Sequence, residues 1–235
     1  MSSTLRIALL VGLFVASLAL SREGHASCVA PQPEAALLTT PTGATVPAGG
    51  SLLMYLSDTA MHTGIGLEPE GGGAAVSLAR RELAPHVFAL FVPAQTPAGR
   101  YAVVARAAGR QQQAPWTAGQ ITVGGTLVTR TLPTPSGRLE LRSSPGRWAP
   151  NQSVVLALST PAPPDVGVVF RWTDAGTTFG SARWVGAEEL SPVASGHCGT
   201  YPFGTRVPTA GTTFEVAYVD AQGVLGPWAS LTVGR

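Results

Sequence analysis

A repeat of about 105 residues is the feature that most restricts how this chain folds. Ser51-Leu-Leu-Met-Tyr-Leu-Ser57 has a counterpart in Ser153-Val-Val-Leu-Ala-Leu-Ser159, and each copy follows closely on a glycine (Gly43, Gly146) and a proline (Pro47, Pro150). Val92-Pro93 precedes Ala98-Gly99 much as Val207-Pro208 precedes Ala210-Gly211. The step from Ala98 to Pro115-Trp116 is 17 residues, and so is the step from Ala210 to Pro227-Trp228. Both copies close on Thr-Val-Gly, at 122–124 and 232–234. Start, middle and end in register are hard to obtain by chance, so any fold proposed for one half must serve the other.

Within each copy, turn residues recur every eight to twelve positions, with β-rich runs between them. The first half predicts strands at Leu37–Thr40, Ser51–Ser57, Ala75–Arg80, Val87–Val92, Tyr101–Ala107 and Gln120–Val123. The second predicts them at Leu139–Ser143, Ser153–Ser159, Gly167–Trp172, Ala182–Val185, Thr213–Val219 and Ser230–Val233. No segment sustains a helical period, and the 28 glycines and 20 prolines would break one. Short strands at regular spacing point to an all-β sandwich or barrel.

The stretch Ala217-Tyr-Val-Asp-Ala-Gln-Gly-Val-Leu-Gly-Pro-Trp-Ala-Ser-Leu-Thr-Val233 resembles the last hairpin of fibronectin type III-like and bacterial Ig-like domains. Pro41-Thr-Gly-Ala-Thr-Val-Pro-Ala-Gly50 resembles the opening turn of bacterial Ig-like domains. The resemblance covers domain ends better than middles and implies two tandem Ig-like or fibronectin III-like sandwiches. It implies no activity, because function does not travel with this fold. The expected organisation is a signal peptide at 1–26, an N-terminal tail at 27–34, domain 1 at 35–124, a linker at 125–137 and domain 2 at 138–235. Pro133 and Pro135 make that linker short and fairly stiff.

The amino terminus reads as an export signal. Arg6 precedes an apolar run from Ile7 to Leu20, too short for a comfortable membrane span. Gly24-His25-Ala26 offers small residues where a signal peptidase reads, placing cleavage after Ala26; a cut after Ser21 is the alternative. About 209 residues remain, with 13 basic and 12 acidic side chains. That balance gives no case for nucleic acid or an anionic membrane, and no second spanning segment follows. Localisation is therefore expected to be periplasmic or extracellular.

Candidate chemistry is sparse. Cys28 and Cys198 are the only cysteines, and in an oxidising compartment a disulfide between them is the simplest reading. The rival is acylation of Cys28, although His25 stands where lipoprotein signals carry an aliphatic residue. Met61, His62 and His86 form a weak candidate metal set: with Met54 their spacing matches no ligand signature, and Met54, in a predicted core strand, is expected to fill space. Glu68 with Glu70, and Glu188 with Glu189, have the composition of a glycosidase pair but read as solvated loops. Asp174 and Asp220 stand alone, and no Gly-x-Ser-x-Gly elbow occurs. Asn151-Gln-Ser153 fits a glycosylation sequon. Trp116 and Trp228 are equivalent in the repeat, and Trp172 lies in a predicted core strand; Trp148 and Trp184, each after an arginine, are the candidate ligand platform. No cofactor is expected. The leading reading is an exported non-catalytic binding or structural module for an unidentified protein or glycan. The alternative is a small-ligand carrier for metal or carbohydrate, and an enzyme comes last.

Overall fold

Runs of valine, leucine and aromatic residues punctuated by Gly and Pro become strands, and no helix occurs among the described residues. The computed structural model describes residues 35–37, 44–56, 64–106, 116–145, 151–185, 190–196, 199–201 and 206–234. Everything below concerns the unit Gln32–Arg235.

In the first half the strands are β1 (Ala35–Leu37), β2 (Ala44–Val46), β3 (Ser51–Leu56), β4 (Gly64–Pro69), β5 (Val76–Ser77), β6 (Ala79–Ala84), β7 (Val87–Phe91), β8 (Gly99–Arg106) and β9 (Trp116–Val123). They form a four-stranded sheet, β1-β3-β7-β6, and a five-stranded sheet, β2-β9-β8-β4-β5. Leu52, Met54, Phe88 and Leu90 of the first sheet meet Ile65, Leu67, Val103 and Ile121 of the second in one buried cluster. This is the strand order of an Ig-like sandwich. Tyr101, near the start of β8, donates its hydroxyl to the Pro97 carbonyl at 2.9 Å, the tyrosine corner of such folds.

The second half contains β10 (Gly137–Ser144), β11 (Asn151–Leu158), β12 (Gly167–Asp174), β13 (Thr177–Trp184), β14 (Val193–Gly196), β15 (Gly199–Tyr201), β16 (Thr213–Val219) and β17 (Ala229–Gly234). They run in one continuous order, β13-β12-β16-β17-β10-β11-β14-β15, folded around a second buried cluster that includes Leu139, Leu156, Phe170, Trp172 and Phe214. Trp172 lies between Phe179 and Phe214, with ring centroids 5.7 and 4.9 Å away. Its indole N–H has no hydrogen-bond partner among the described residues. β12 and β13 join through Ala175 and Gly176, both at positive φ (48° and 83°), as a tight hairpin of matching twist requires.

One parallel pairing recurs in both halves. Val46 pairs with Val123 in parallel, and Leu139 pairs with Val233 in parallel. Trp116 opens β9 opposite Ala105, seven residues before Val123, whereas Trp228 lies just ahead of β17, five before Val233, so the two tryptophans do not share a register. Several strands differ from expectation. β4 was absent from the predicted set because its two glycines and proline are poor strand formers, yet Ile65 and Leu67 are buried in the core and tertiary burial prevails. The run predicted at Ala75–Arg80 divides into β5 and the start of β6, which belong to different sheets. The hairpin β14–β15 was not predicted either.

A third apolar cluster joins the halves. Leu53, Leu83, Ala84, Val87 and Ala89, on the outer face of β3-β7-β6, pack with Val169, Ala182 and Val219 of β12, β13 and β16. Gly180 is required at this seam, because a Cβ there would strike the Pro85 carbonyl and Ala84. β3 and β7 are thereby buried on both faces, which is why they read as unbroken apolar runs rather than alternating ones. The segment 125–136 carries no strand; Leu132 is buried in the second core, and Arg130 Nη1 donates to the Pro164 carbonyl at 2.8 Å.

Candidate functional site

Alternation along β12 sends Val168, Phe170 and Trp172 into the core and Val169, Arg171 and Thr173 to the outer face. Val169 is covered by the first half. Beyond that seam the same face opens into a groove of about 350 Å³. Arg171 and Thr173 of β12, Thr178 of β13, and Thr213 and Glu215 of β16 line it, with Trp172 between the first two and Thr212 just ahead of β16.

The groove mixes polar and apolar surface, and its charges are paired internally. Arg171 Nε donates to Glu215 Oε2, its cross-strand partner. This bond, with the Coulombic attraction behind it, holds the Glu215 carboxyl below the usual glutamate range against a smaller opposing desolvation. The Arg171 guanidinium also lies 4.3 Å from the centroid of the Trp228 ring, which packs against the seam cluster. One arginine is therefore fixed from two sides, by a carboxylate and an aromatic face. Thr173 and Thr178 hydroxyls are 3.2 Å apart, as are those of Thr213 and Thr232. Such a face offers fixed donors and acceptors without net charge.

Of the residues singled out from sequence, Trp184 ends β13 half-buried, opposite Gly167. Trp148 lies outside the described residues, as do Cys28, Cys198, Met61, His62, Glu188 and Glu189. His86 occupies the β6–β7 turn at φ 62°; its Nδ1 is 3.2 Å from the Leu56 carbonyl and its ring is 5.8 Å from Tyr55. That engagement is structural. Glu68 pairs with Arg106, and Glu70 with Arg100 at 3.6 Å, so each acid has its own arginine. Asp220, 4% exposed, accepts the amides of Gln222 and Val224 at 2.9 and 2.8 Å and thereby shapes the β16–β17 turn. No group of three or more metal-binding side chains occurs among the described residues. Likewise, no described helix is long and apolar enough to cross a membrane. Sequence reasoning missed the groove because Arg171, Thr173, Thr213 and Glu215 carry no motif; the signal was polar alternation on two strands that pair.

The class that these strands define is the Ig-like, fibronectin type III-like β-sandwich. No known family matches the chain, and no curated protein matches it in sequence. Among solved structures it is similar to the Bacteroides ovatus mixed-linkage glucan utilization locus protein SGBP-B in complex with a mixed-linkage heptasaccharide, at 13% identity and TM-score 0.28, covering 87% of this chain and 47% of that one. It is similar to the Clostridium thermocellum CbhA fibronectin(III)-like modules at 11% identity and TM-score 0.23, covering 85% and 93%. Chicken CNTN1 FN1–FN3 domains align at 9% identity and TM-score 0.23, covering 86% and 65%. The chain thus spans about half of the glucan-locus protein and under two thirds of the contactin fragment. At these scores the superpositions carry no argument of their own, and the fold rests on strand order and register.

Proposed function

We propose that the protein is an exported, non-catalytic binding module whose two sandwiches, 35–124 and 138–235, are tandem domains, and that the outer face of β12, β13 and β16 contacts the ligand. The observation that carries this reading is the groove, where a fixed Arg171–Glu215 pair stands among threonine hydroxyls. Its volume is at the lower end for small-molecule sites. A self-neutralised pair favours an uncharged, hydroxyl-rich ligand over an ion, because an anion would have to displace Glu215 from Arg171 and a cation would have to displace Arg171. A short stretch of neutral glycan fits that chemistry: the guanidinium donates, the carboxylate accepts and the hydroxyls do both.

Export rests on the Ile7–Leu20 run and the Gly24-His25-Ala26 triplet, and the Cys28–Cys198 disulfide belongs to the same reading. N-terminal sequencing of secreted protein should begin at Ser27, and non-reducing digestion should yield a cross-linked Cys28–Cys198 peptide. For the groove, the secreted chain is screened on a neutral-glycan array, and hits are titrated by calorimetry. Arg171→Ala should weaken binding at least tenfold, as expected for a lost charge-assisted hydrogen bond, while Arg106→Ala on the first half leaves it unchanged. No hit among neutral glycans, or equal loss with both variants, would sink the assignment.

A further inference from the structure

The turn between β16 and β17 reaches out of its own half and seats on the other. The Ala221 carbonyl accepts the Ser51 amide at 2.7 Å and lies 3.3 Å from the Ser51 hydroxyl. The Gly223 carbonyl accepts from Arg81 Nη2. Gly223 has φ +74° and sits so close that a Cβ would stand 3.0 Å from Ala89 Cβ and 3.3 Å from the Phe91 ring. Both carbonyls project outward because the turn closes on Asp220. Its carboxylate takes the Gln222 and Val224 amides, its own amide donates to the Val224 carbonyl at 3.1 Å, and its carbonyl accepts the Gly223 amide at 2.9 Å. Asp220 thus satisfies the turn's inward-facing amides and leaves Ala221 and Gly223 carbonyls for the other half.

We infer that the outer face of β3, β7 and β6 is a receptor surface for the 220–223 hairpin, that this hairpin latches the two sandwiches into one rigid body, and that Asp220 is its positioning residue. Three features agree. The receptor face is apolar where the seam covers it and carries polar partners, Ser51 and Arg81, where the latch lands. The latch residue nearest that face is the one that no side chain fits. The contacts join residues 142 and 170 positions apart, so they oppose separation of the halves rather than local fraying. The fixed angle this imposes does not depend on the groove or its ligand.

The test follows the Ser51 amide, which donates to the Ala221 carbonyl. In the secreted chain, hydrogen exchange at Ser51 should be as slow as at seam strands, and urea should unfold both halves in one transition. Asp220→Ala and Gly223→Ala should speed Ser51 exchange roughly tenfold or more, enlarge the maximum dimension in small-angle scattering, and split the unfolding into two steps. Arg81→Ala changes an exposed strand residue, so both cores persist, and it should give the same direction with a smaller size. Two transitions in the unaltered chain would overturn the latch. So would variants that fold, keep slow Ser51 exchange and leave the scattering dimension unchanged.

Discussion

In the first half two residues do what one does in the second. Leu37 pairs with Met54 on β3, and Val46, nine residues on, pairs with Val123 on β9. Leu139 pairs with Leu156 on one side and with Val233 on the other. Met54 and Leu156 are equivalent in the repeat, as are Val123 and Val233. The opening strand of the first half is therefore divided between two sheets, whereas β10 serves both and fuses them into one continuous order. The sequences differ at the place that matters. Pro41 and Gly43 lie between β1 and β2, and proline cannot donate to a ladder; β10 runs Gly137-Arg-Leu-Glu-Leu-Arg-Ser-Ser144 without one. The first half thus uses two short strands, β1 and β2, where the second uses the single strand β10.

This comparison is broken most directly at Leu139, which is fully buried. Leu139→Ala removes contacts on both flanks at once, and a buried leucine truncation costs about 2–5 kcal/mol. Leu37→Ala should cost less, because Leu37 is only partly buried and its strand pairs with β3 alone. Urea denaturation of the two variants measures the difference. Equal losses would show that the double pairing of Leu139 adds nothing.

A smaller effect distinguishes the halves at the tyrosine corner. Tyr101, opposite Ile121, bonds the Pro97 carbonyl, whereas the residue at the same register in the second half, opposite Leu231, is Phe214, which has no hydroxyl. Tyr101→Phe deletes one hydroxyl and should cost about 0.5–1.5 kcal/mol, the ordinary net worth of such a bond. A Tyr101→Phe chain as stable as the parent would leave the corner without energetic content.

How much of this was legible beforehand follows from the same residues. The repeat was readable because core registers need apolar residues at fixed spacing, and Ser51–Leu56 and Ser153–Leu158 keep it. The seam was written in the unbroken runs of β3 and β7, since a strand with one wet face alternates. What it met could not be read, because Val169, Ala182 and Val219 lie far away in sequence and each passes for an ordinary strand residue. The pair β14–β15 was hidden by Gly196 and Gly199, poor strand formers used on a short sheet edge. There the copies also diverge: the later strand β7 lies beside β3, but the earlier strand β14 lies beside β11. The groove escaped notice because isolated Thr, Arg and Glu mean nothing until Arg171 is seen opposite Glu215.

The smallest expected effect sharpens the contrast electrostatically. Glu215 has its pKa lowered in the folded chain, chiefly by the hydrogen bond from Arg171. A carboxyl depressed on folding contributes stability that is present above its unfolded value and lost as pH falls through its folded one. The Arg171–Glu215 contribution should therefore be intact at neutral pH and fade below about pH 4, the ordinary glutamate range. Both side chains are substantially exposed, at 38% and 44%, so solvent screening keeps the contribution to about 0.5 kcal/mol or less. Salt should weaken it further. Glu215→Gln cannot change protonation, and its stability difference from the parent chain should shrink toward zero between pH 7 and pH 3. Denaturant midpoints at the two pH values give that difference directly. If the gap between parent and Glu215→Gln instead widens on acidification, the pair does not hold Glu215 ionised, and the groove loses the fixed carboxylate that its chemistry requires.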